Sequence, residues 1–336
     1  MSHARVLRLT AEEKARLKLL FLAKHARSGG KPDTVDGSHA VYHHEMLETL
    51  RDVGLNVDVA TSFDELPPAP EVDFVFPLLN RAGFLNSEMM APLMLERSGT
   101  PYLGAKPIIR GISDDKSVMK RLARAHGVVT CDWAIYRQGW PIEPPAFVEK
   151  GRMIVKPNAS SASWGIVIAD DWATIADQVV WLHAQGHDAI VEPWLPSMDI
   201  AVPVVGAEGP WFLPPLIYPN DMRSYEEKRN LVDVAEDPLI PLEDPTVRDF
   251  LFAQVRLLMT ELWPFDYGRF EFRYDPETRL VSFMEVNISC NLWSRKSISR
   301  AAGLLGVDHA SLVETIVTHS MLRQGVITRA TQRLAA

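Results

Sequence analysis

The amino-acid sequence predicts an α/β fold, and three observations support this prediction. Strand-like apolar runs alternate with amphipathic helices through roughly the first hundred residues, which is typical of a parallel sheet with crossover helices. A second unit that begins near residue 110 again contains both helices and strands. Near the C-terminal end, two apolar runs flank turn-forming residues and predict an antiparallel hairpin. A chain of 336 residues is long enough for two or three subdomains.

The N-terminal unit opens with the apolar run at residues 17–23, which predicts a buried strand. A helix follows over residues 41–53, where apolar side chains recur at helical spacing, and Gly54 ends it at a position that favours a left-handed cap. Further strands are predicted over residues 55–60, 72–79 and 102–103. We therefore expect an N-terminal parallel α/β subdomain over residues 1–109.

The central unit starts with a helix over residues 114–126, which Ser113 is expected to cap. An apolar strand that ends at Pro157 then leads into a loop of small polar residues, 158–165, of a kind that can approach phosphate groups closely. The unit continues through the predicted strand 166–168, helix 171–184 and strand 189–192. We expect this subdomain to cover residues 110–205. A C-terminal subdomain would cover residues 206–336, with helices at 245–262 and 311–322.

Two runs in the C-terminal subdomain carry the most chemical information: residues 269–271 (Arg-Phe-Glu) and 285–287 (Glu-Val-Asn). Successive side chains of a strand point to opposite faces, so the guanidinium and carboxylate of the first run share a face, as do the carboxylate and amide of the second. The turn-forming residues 275–278 allow the runs to pair as a hairpin. Carboxylate and amide oxygens suit Mg²⁺. The alternative is a hairpin whose charged face is simply solvated.

The overall composition argues against several classes of protein. A net charge of −8 and a pI near 5.7 do not fit a nucleic-acid-binding surface, which concentrates Lys and Arg. The two cysteines, Cys131 and Cys290, indicate neither a disulfide framework nor a cysteine-based zinc site. No run approaches the ~20 apolar residues that span a bilayer, and no signal peptide is recognisable. We therefore expect a cytoplasmic protein with no nucleic-acid or membrane partner.

Two lysines are candidate phosphate ligands. Lys156 lies at the end of an apolar strand immediately before the small polar loop, where a charge needs a partner. Lys116 lies in the preceding helix, and on its own it could equally be a solvated surface charge. Lysine tolerates several phosphate geometries, so both residues suit a phosphoryl-handling site.

The order of these pieces along the chain resembles the ATP-grasp superfamily and, within it, the D-alanine–D-alanine ligase group. The resemblance covers residues 74–322, and its best-matching pieces are residues 103–104, 154–157, 191–195, 268–271 and 284–287. It implies an ATP-grasp fold, in which an N-terminal parallel α/β subdomain is followed by two α+β subdomains that clamp ATP. It also implies an ADP-forming carbon–nitrogen ligase that uses ATP and two Mg²⁺ ions, which Mn²⁺ could replace.

The resemblance assigns the nucleotide to residues of the central subdomain. The two lysines would contact ATP phosphates, Glu192 would read the adenine edge and Asp199 would take the ribose hydroxyls. We expect the indole of Trp194 to pack in the core, because the family uses backbone atoms there. The full predicted ATP-binding set is Lys116, Lys156, Ser163, Glu192, Trp194, Leu195 and Asp199.

Metal-binding and catalytic roles follow from the same resemblance. The implied metal ligands are Glu271, Glu285 and Asn287, with Glu285 bridging the two ions. Arg269 would steady the transferring phosphoryl group and a later tetrahedral intermediate, whose oxyanion the Asn291 N–H would stabilise. Lys228 would reach the γ-phosphate from the polar segment 221–237, which we expect to close over the site and exclude water.

The sequence departs from the family pattern where the joined molecules would bind. Ala162 stands in place of a family serine, and residues 24–30 lack the family's substrate-gripping glutamate. Cys290-Asn291 replaces a Pro-Gly pair. Arg295 and Lys296 add positive charge that would suit the carboxylate of the attacking substrate. These differences argue against classical D-alanine–D-alanine synthesis and favour another carboxylate and another amine.

Three functions remain open: a carboxylate–amine ligase for amino acids or similar small molecules, an ATP-grasp kinase that phosphorylates without ligation, and a nucleotide-binding protein without catalysis. The complete set of predicted metal ligands argues against the last. A homodimer is implied by the resemblance alone. In the histidine-rich segment, only His39 and His43 are spaced to share a metal ion, and we prefer an interpretation without one.

Overall fold

The computed structural model of the protein describes residues 5–66, 71–79, 87–160, 163–218 and 239–329. A parallel sheet forms the N-terminal part. Its strands β1 (Lys18–Leu22), β2 (Asn56–Ala60) and β3 (Phe74–Pro77) lie in the order β2-β1-β3. The helices of this part are α1 (Ala11–Arg16), α2 (His39–Asp52) and α3 (Met90–Ser98). Parallel strands that are separated by a helix confirm the α/β prediction.

Both faces of the parallel sheet are covered, as the continuous apolar runs predict. On one face Phe21 packs in a core that also contains Met46 of α2 and Ile316, and on the other Leu20 packs with Leu95 of α3. Helix α2 ends where predicted, because Gly54 has a positive φ of 88° and the N–H of the following residue returns to the Leu50 carbonyl.

Two consecutive helices, α4 (Pro107–Asp114) and α5 (Lys116–Ala125), follow the parallel sheet. The predicted cap at Ser113 is wrong, because its hydroxyl donates to the Arg110 carbonyl within α4. The chain breaks instead at Asp115, whose carboxylate accepts the N–H of Val118 at 2.8 Å and caps α5. The break starts α5 at Lys116 and so places this lysine at a helix N-terminus.

The central part contains an antiparallel sheet of β4 (Ala134–Tyr136), β5 (Met153–Pro157), β6 (Val167–Ala169) and β7 (Ala189–Pro193), in the order β4-β7-β5-β6. Helix α6 (Trp172–Ala184) covers one face and buries Ile175, Val179 and Leu182 against Val155 and Val191. The opposite face of β5 and β7 therefore remains available to the rest of the molecule.

The C-terminal sheet consists of β8 (Met198–Gly206), β9 (Pro210–Phe212), β10 (Leu216–Tyr218), β11 (Ile240–Pro241), β12 (Tyr267–Tyr274) and β13 (Val281–Asn287). Its order is β11-β10-β8-β12-β13, and β9 pairs with β8. Strand β8 pairs with β12 along its whole length, so the change from the central to the C-terminal sheet falls between β7 and β8.

In the described residues of the C-terminal part, three helices follow: α7 (Pro245–Leu262), α8 (Ser297–Gly303) and α9 (His309–Arg323). Leu251, Val255 and Leu258 of α7 pack against Phe270 and Phe272, which point away from the charged face of β12 as strand alternation predicts. Among the described residues, no helix is long and apolar enough to cross a bilayer.

Candidate active site

A cavity of about 530 Å³ lies where the three sheets meet, and its size is typical of a small-molecule site. It collects most of the predicted site residues from widely separated parts of the sequence. Those that line it are Lys116, Lys156, Ser163, Trp194, Leu195, Asp199, Arg269, Glu271, Glu285, Asn287, Asn291 and Lys296. Glu192 and Arg295 are outside this lining. Lys228, the lid segment 221–237 and Ala162 lie outside the described residues.

The hairpin of β12 and β13 forms one wall of the cavity. The two strands pair antiparallel, as the predicted hairpin requires, and the register places Glu271 directly opposite Glu285 and Arg269 opposite Asn287. The register then shifts by one residue, which leaves Met284 as a bulge. Because of this bulge, Met284 and Glu285 both face the cavity although they are neighbours in one strand.

The charged groups on this wall lie close enough to shift one another's pKa values. Arg269 donates from Nε to Glu271 Oε1 at 2.8 Å, and a second guanidinium nitrogen contacts the same oxygen. Burial lowers the pKa of Arg269, but Glu271, with smaller contributions from Tyr218 and Cys290, raises it more in total, so the guanidinium stays charged. For Glu271, burial and the nearby Glu285 carboxylate raise the pKa, and Arg269 only partly offsets them.

The donor set of this wall fits a hard divalent cation. Two carboxylates that face each other repel, and a Mg²⁺ ion would relieve that repulsion. The amide oxygen of Asn287 is held in place because it accepts the Ser289 N–H at 3.0 Å. The Cys290 thiol also lines the cavity, but burial raises its pKa to about 12, so it is a poor ligand at neutral pH. Oxygen atoms therefore dominate the site.

Lys116 connects the β12–β13 wall, called the metal wall below because it carries the predicted metal ligands, to the small polar loop. Its Nζ donates to the Ser160 carbonyl at 2.8 Å and lies 3.3 Å from Glu285 Oε2. Its backbone N–H binds the Asn158 carbonyl, and the Asn158 side chain accepts the next N–H of the helix. The side chain is nearly buried rather than solvated, so the alternative of a surface charge does not hold.

Lys156 faces the cavity from β5 and has the partner that its buried position requires. Its Nζ lies 2.6 Å from Glu192 Oε2, and the other carboxylate oxygen of Glu192 lies 2.7 Å from Nζ of Lys120. Glu192 is 0% exposed, so in this conformation both of its oxygens face lysines and not a nucleotide base. Sequence reasoning missed Lys120, whose spacing in α5 is that of an ordinary buried helical position.

The end of the cavity that is predicted to bind the nucleotide, called the nucleotide end below, contains Trp194, Leu195 and Asp199. They are joined by a residue that was not predicted, Arg273. Its guanidinium donates to Asp199 Oδ1 at 2.8 Å and to the Leu195 carbonyl at 2.7 Å. It also lies 4.9 Å from the centre of the Trp194 ring. The prediction that the indole packs in the core is wrong, because Trp194 is half-buried and lines the cavity. The available signal was the alternation along β12, which places Arg273 on the same face as Arg269 and Glu271.

The opposite end of the cavity is formed by the N-terminal part of the chain. Asp36 is buried, and its carboxylate contacts Lys24 Nζ and accepts from His25 Nε2 at 2.9 Å. His25, Asp33 and Asp36 have potential ligand atoms within 4.8 Å of one another. However, the Asp33 carboxylate already accepts backbone N–H groups, and the Asp36 carboxylate already contacts the Lys24 ammonium. These contacts favour a protein-satisfied cluster and not a metal site.

Two predicted substrate-binding cations have different surroundings. Lys296 lines the cavity, next to the N-terminus of α8. Arg295 is exposed and its guanidinium lies 5.2 Å from the centre of the Trp293 ring. The Asn291 side chain accepts the Trp293 N–H at 2.7 Å, which shapes the loop between β13 and α8. Only Lys296 of the two cations is therefore placed to contact a molecule in the cavity.

Comparisons with known proteins find similar sequences among ligases. No family model matches the chain. It is 27% identical over 291 residues to a D-alanine–D-alanine ligase of Nitratidesulfovibrio vulgaris strain DP4, which covers 83% of this chain and 91% of the relative. It is also 26% identical over 294 residues to the uncharacterised protein y4sG of Sinorhizobium fredii, covering 82% of each chain.

Solved structures show the same fold. The ATP complex of D-alanine–D-alanine ligase from Bacillus anthracis aligns with a TM-score of 0.73 at 16% identity, covering 92% of this chain and 99% of that one. D-alanyl-alanine synthetase A from Vibrio cholerae aligns with a TM-score of 0.70 at 14% identity, covering 91% and 99%. The chain therefore has the ATP-grasp fold and is similar to D-alanine–D-alanine ligases, which are ADP-forming carbon–nitrogen ligases.

Proposed function

We propose that the protein is an ATP-dependent carboxylate–amine ligase that activates the carboxylate as an acylphosphate. One observation carries the proposal: two lysines and a set of carboxylate and amide oxygens face each other across one cavity, and Lys116 Nζ lies only 3.3 Å from Glu285 Oε2. Phosphoryl transfer needs this combination, because catalysis consists mostly of positioning and charge neutralisation. In this proposal Lys116, Lys156 and Ser163 hold phosphates.

The metal wall would hold the cation that accompanies ATP. Glu271, Glu285 and Asn287 are the proposed ligands, and two ions with Glu285 between them fit the directly opposed carboxylates. A bound Mg²⁺, or Mn²⁺ in its place, would neutralise phosphate charge. Arg269 is fixed by Glu271 and stays cationic, so it can stabilise charge that develops on the transferring group.

The chemistry of the proposed reaction explains why no protein nucleophile is needed. A carboxylate is a poor acyl donor, so the γ-phosphoryl group is first transferred to its oxygen and leaves ADP. An amine then attacks the carbonyl carbon, and phosphate departs with the oxygen that carried it. The Asn291 N–H is the proposed oxyanion donor, and Lys228 remains the proposed γ-phosphate contact from the segment 221–237.

The pair of joined molecules is proposed to differ from two D-alanines. Lys296, at the cavity, would pair with the carboxylate of the attacking amine substrate, and Arg295 would contribute less because it is exposed. At the N-terminal end, Lys24 and His25 surround Asp36, so that end offers donors as well as an acceptor. Such surroundings favour a carboxylate substrate with a further polar group. A homodimer and a cytoplasmic location remain predictions from the resemblance and the composition.

The test is to incubate the protein with ATP, Mg²⁺ and pairs of amino acids and hydroxy acids, D-alanine included. Released phosphate and product masses are then measured. Phosphate together with a condensed product supports the ligase. A stable phosphorylated small molecule would identify a kinase, and nucleotide binding without turnover on any pair would contradict both enzymes. Formation of D-alanyl-D-alanine as the preferred product would contradict only the proposed change of substrates.

A further inference from the structure

The buried charges behind the cavity form a chain of three groups. Lys120, Glu192 and Lys156 come from α5, β7 and β5, and the carboxylate between the two ammonium groups makes contacts of 2.7 and 2.6 Å. Lys120 and Glu192 are both 0% exposed, and Lys156 is the only member that lines the cavity. The chain thus leads from a sealed interior position to the proposed phosphate site.

Lys120 is held from several directions by the protein. Besides Glu192, its Nζ donates to Thr130 Oγ1 at 2.9 Å and lies 3.5 Å from the Phe283 carbonyl. Thr130 Oγ1 in turn donates to the same carbonyl at 2.8 Å. Phe283 belongs to β13, two residues before the proposed metal ligand Glu285. The Lys120 ammonium group therefore connects β7, which carries Glu192, with β13, which carries the proposed metal ligand Glu285.

The net charge of these three groups is positive, and it lies next to the cavity. Burial raises the pKa of Glu192, but the two lysines lower it more, to about 2, so the carboxylate is ionised at neutral pH. Two ammonium groups and one carboxylate leave one positive charge in excess, next to a wall that would receive phosphates. Buried ion pairs are poor sources of stability compared with apolar packing. A positioning role accounts better for such a costly arrangement.

We propose that Lys120 is a positioning residue for nucleotide binding, which acts through Glu192 to hold the Lys156 ammonium in the cavity wall. This inference rests on the proposed function, because Lys156 must contact ATP for its position to matter. It also assigns Glu192 a part in orienting Lys156, in addition to the adenine contact that the resemblance implies.

A double-mutant cycle tests the inference directly. Lys120→Met, Glu192→Gln and the double variant are compared with the wild type for Mg-ATP dissociation constant by calorimetry, and for KM and kcat. We expect Lys120→Met to weaken ATP binding about tenfold, with a rise in KM and little change in kcat. In the Glu192→Gln background the same substitution should weaken binding less than about twofold, since its effect passes through Glu192. Additive losses, or wild-type affinity in Lys120→Met, would overturn the proposal.

Two further variants separate positioning from general destabilisation. Lys14→Met breaks a partly buried ion pair away from the cavity, in which Lys14 Nζ lies 2.7 Å from the buried Glu314 carboxylate, and should lower the thermal midpoint without changing ATP affinity. Equal losses of ATP affinity in both lysine variants would overturn the proposal. Thr130→Val removes one anchor of Lys120 with little change in shape and serves if Lys120→Met does not fold. It should weaken ATP binding in the same direction, and unchanged affinity would again contradict the inference.

Failure of the inference and failure of the proposed function have different signatures. Absence of Mg-ATP binding by the wild-type protein would remove the proposed function itself. Tight binding by the wild type and by Lys120→Met alike would leave the function in place and remove only the role of Lys120.

Discussion

The two ends of the cavity differ in how their charges are arranged. At the phosphate and metal end, Lys116, Lys156, Glu271 and Glu285 all line the cavity, within strands and a helix N-terminus that fix them firmly. At the N-terminal end, the Asp36 carboxylate is engaged by side chains of its own loop. The first end carries the residues on which the resemblance to D-alanine–D-alanine ligases rests, and the second departs from that pattern. Under the proposed function, nucleotide handling and substrate choice would therefore lie at separate ends of one cavity.

The largest effect is expected from the metal wall. Glu285→Gln removes the carboxylate opposite Glu271 and should lower kcat at least about a thousandfold, or ~4 kcal/mol, because charge on the phosphates is no longer neutralised. The thermal midpoint should stay close to wild type. Steady-state phosphate release measures the effect, and Glu277→Gln, an exposed carboxylate in the turn of the same hairpin, is the matched control. Wild-type turnover in Glu285→Gln would remove this residue from the site.

A smaller effect is expected at the nucleotide end. Arg273→Met frees the Leu195 carbonyl and the Asp199 carboxylate at once, and should raise KM for ATP about tenfold, or ~1.4 kcal/mol, with less change in kcat. Arg273→Lys should restore little, because one ammonium cannot reproduce the separate guanidinium contacts. Initial rates at varied ATP provide the measurement. An unchanged KM for ATP would mean that the contacts of Arg273 serve stability alone.

The next prediction concerns Lys296 and the KM for the proposed amine substrate. Lys296→Met should raise KM for the amine substrate about fivefold and leave KM for ATP unchanged, since a lost charge-assisted contact costs about 1 kcal/mol. Arg295→Met is the matched control, because this exposed neighbour is outside the cavity lining. A larger effect in the Arg295 variant than in the Lys296 variant would reverse the assignment.

The smallest expected effect is on stability at acid pH. Burial, together with the nearby His39, His25 and Lys24, lowers the pKa of His43 to about 3. The Asp36 carboxylate opposes this shift. Since the unfolded histidine titrates near 6.5, the unfolded state takes up a proton first as pH falls from 6.5 towards 3, and stability decreases. We expect a loss of about 1 kcal/mol between pH 6.5 and about 5.5.

Denaturant unfolding at both pH values measures this loss. His43→Asn can still accept the His25 N–H, and it should reduce the acid-side loss, whereas His44→Asn leaves His43 in place and should retain it. An identical acid dependence in wild type and His43→Asn would show that other groups cause it.

The hairpin illustrates what local sequence rules can predict. Alternation along a strand and a turn at residues 275–278 are properties of neighbouring residues, so the sequence pattern alone places Arg269, Glu271, Glu285 and Asn287 on one face. The same holds for the end of α2 at Gly54. The cap of α5 was misplaced by two residues, because Ser113 and Asp115 are both good capping residues and only the preceding helix decides between them.

The amino-acid sequence by itself determined the α/β class and the late hairpin with its four polar residues on one face, because periodicity and turn chemistry are local. Only the tertiary structure decided which charges meet: Lys120 with Glu192, Arg273 with Asp199, and Asp36 with Lys24 and His25. Such pairs join elements that are distant along the chain or depend on how a loop folds back. A buried charge needs a partner, because an unpaired one is costly. The local sequence pattern does not show which residue that partner will be.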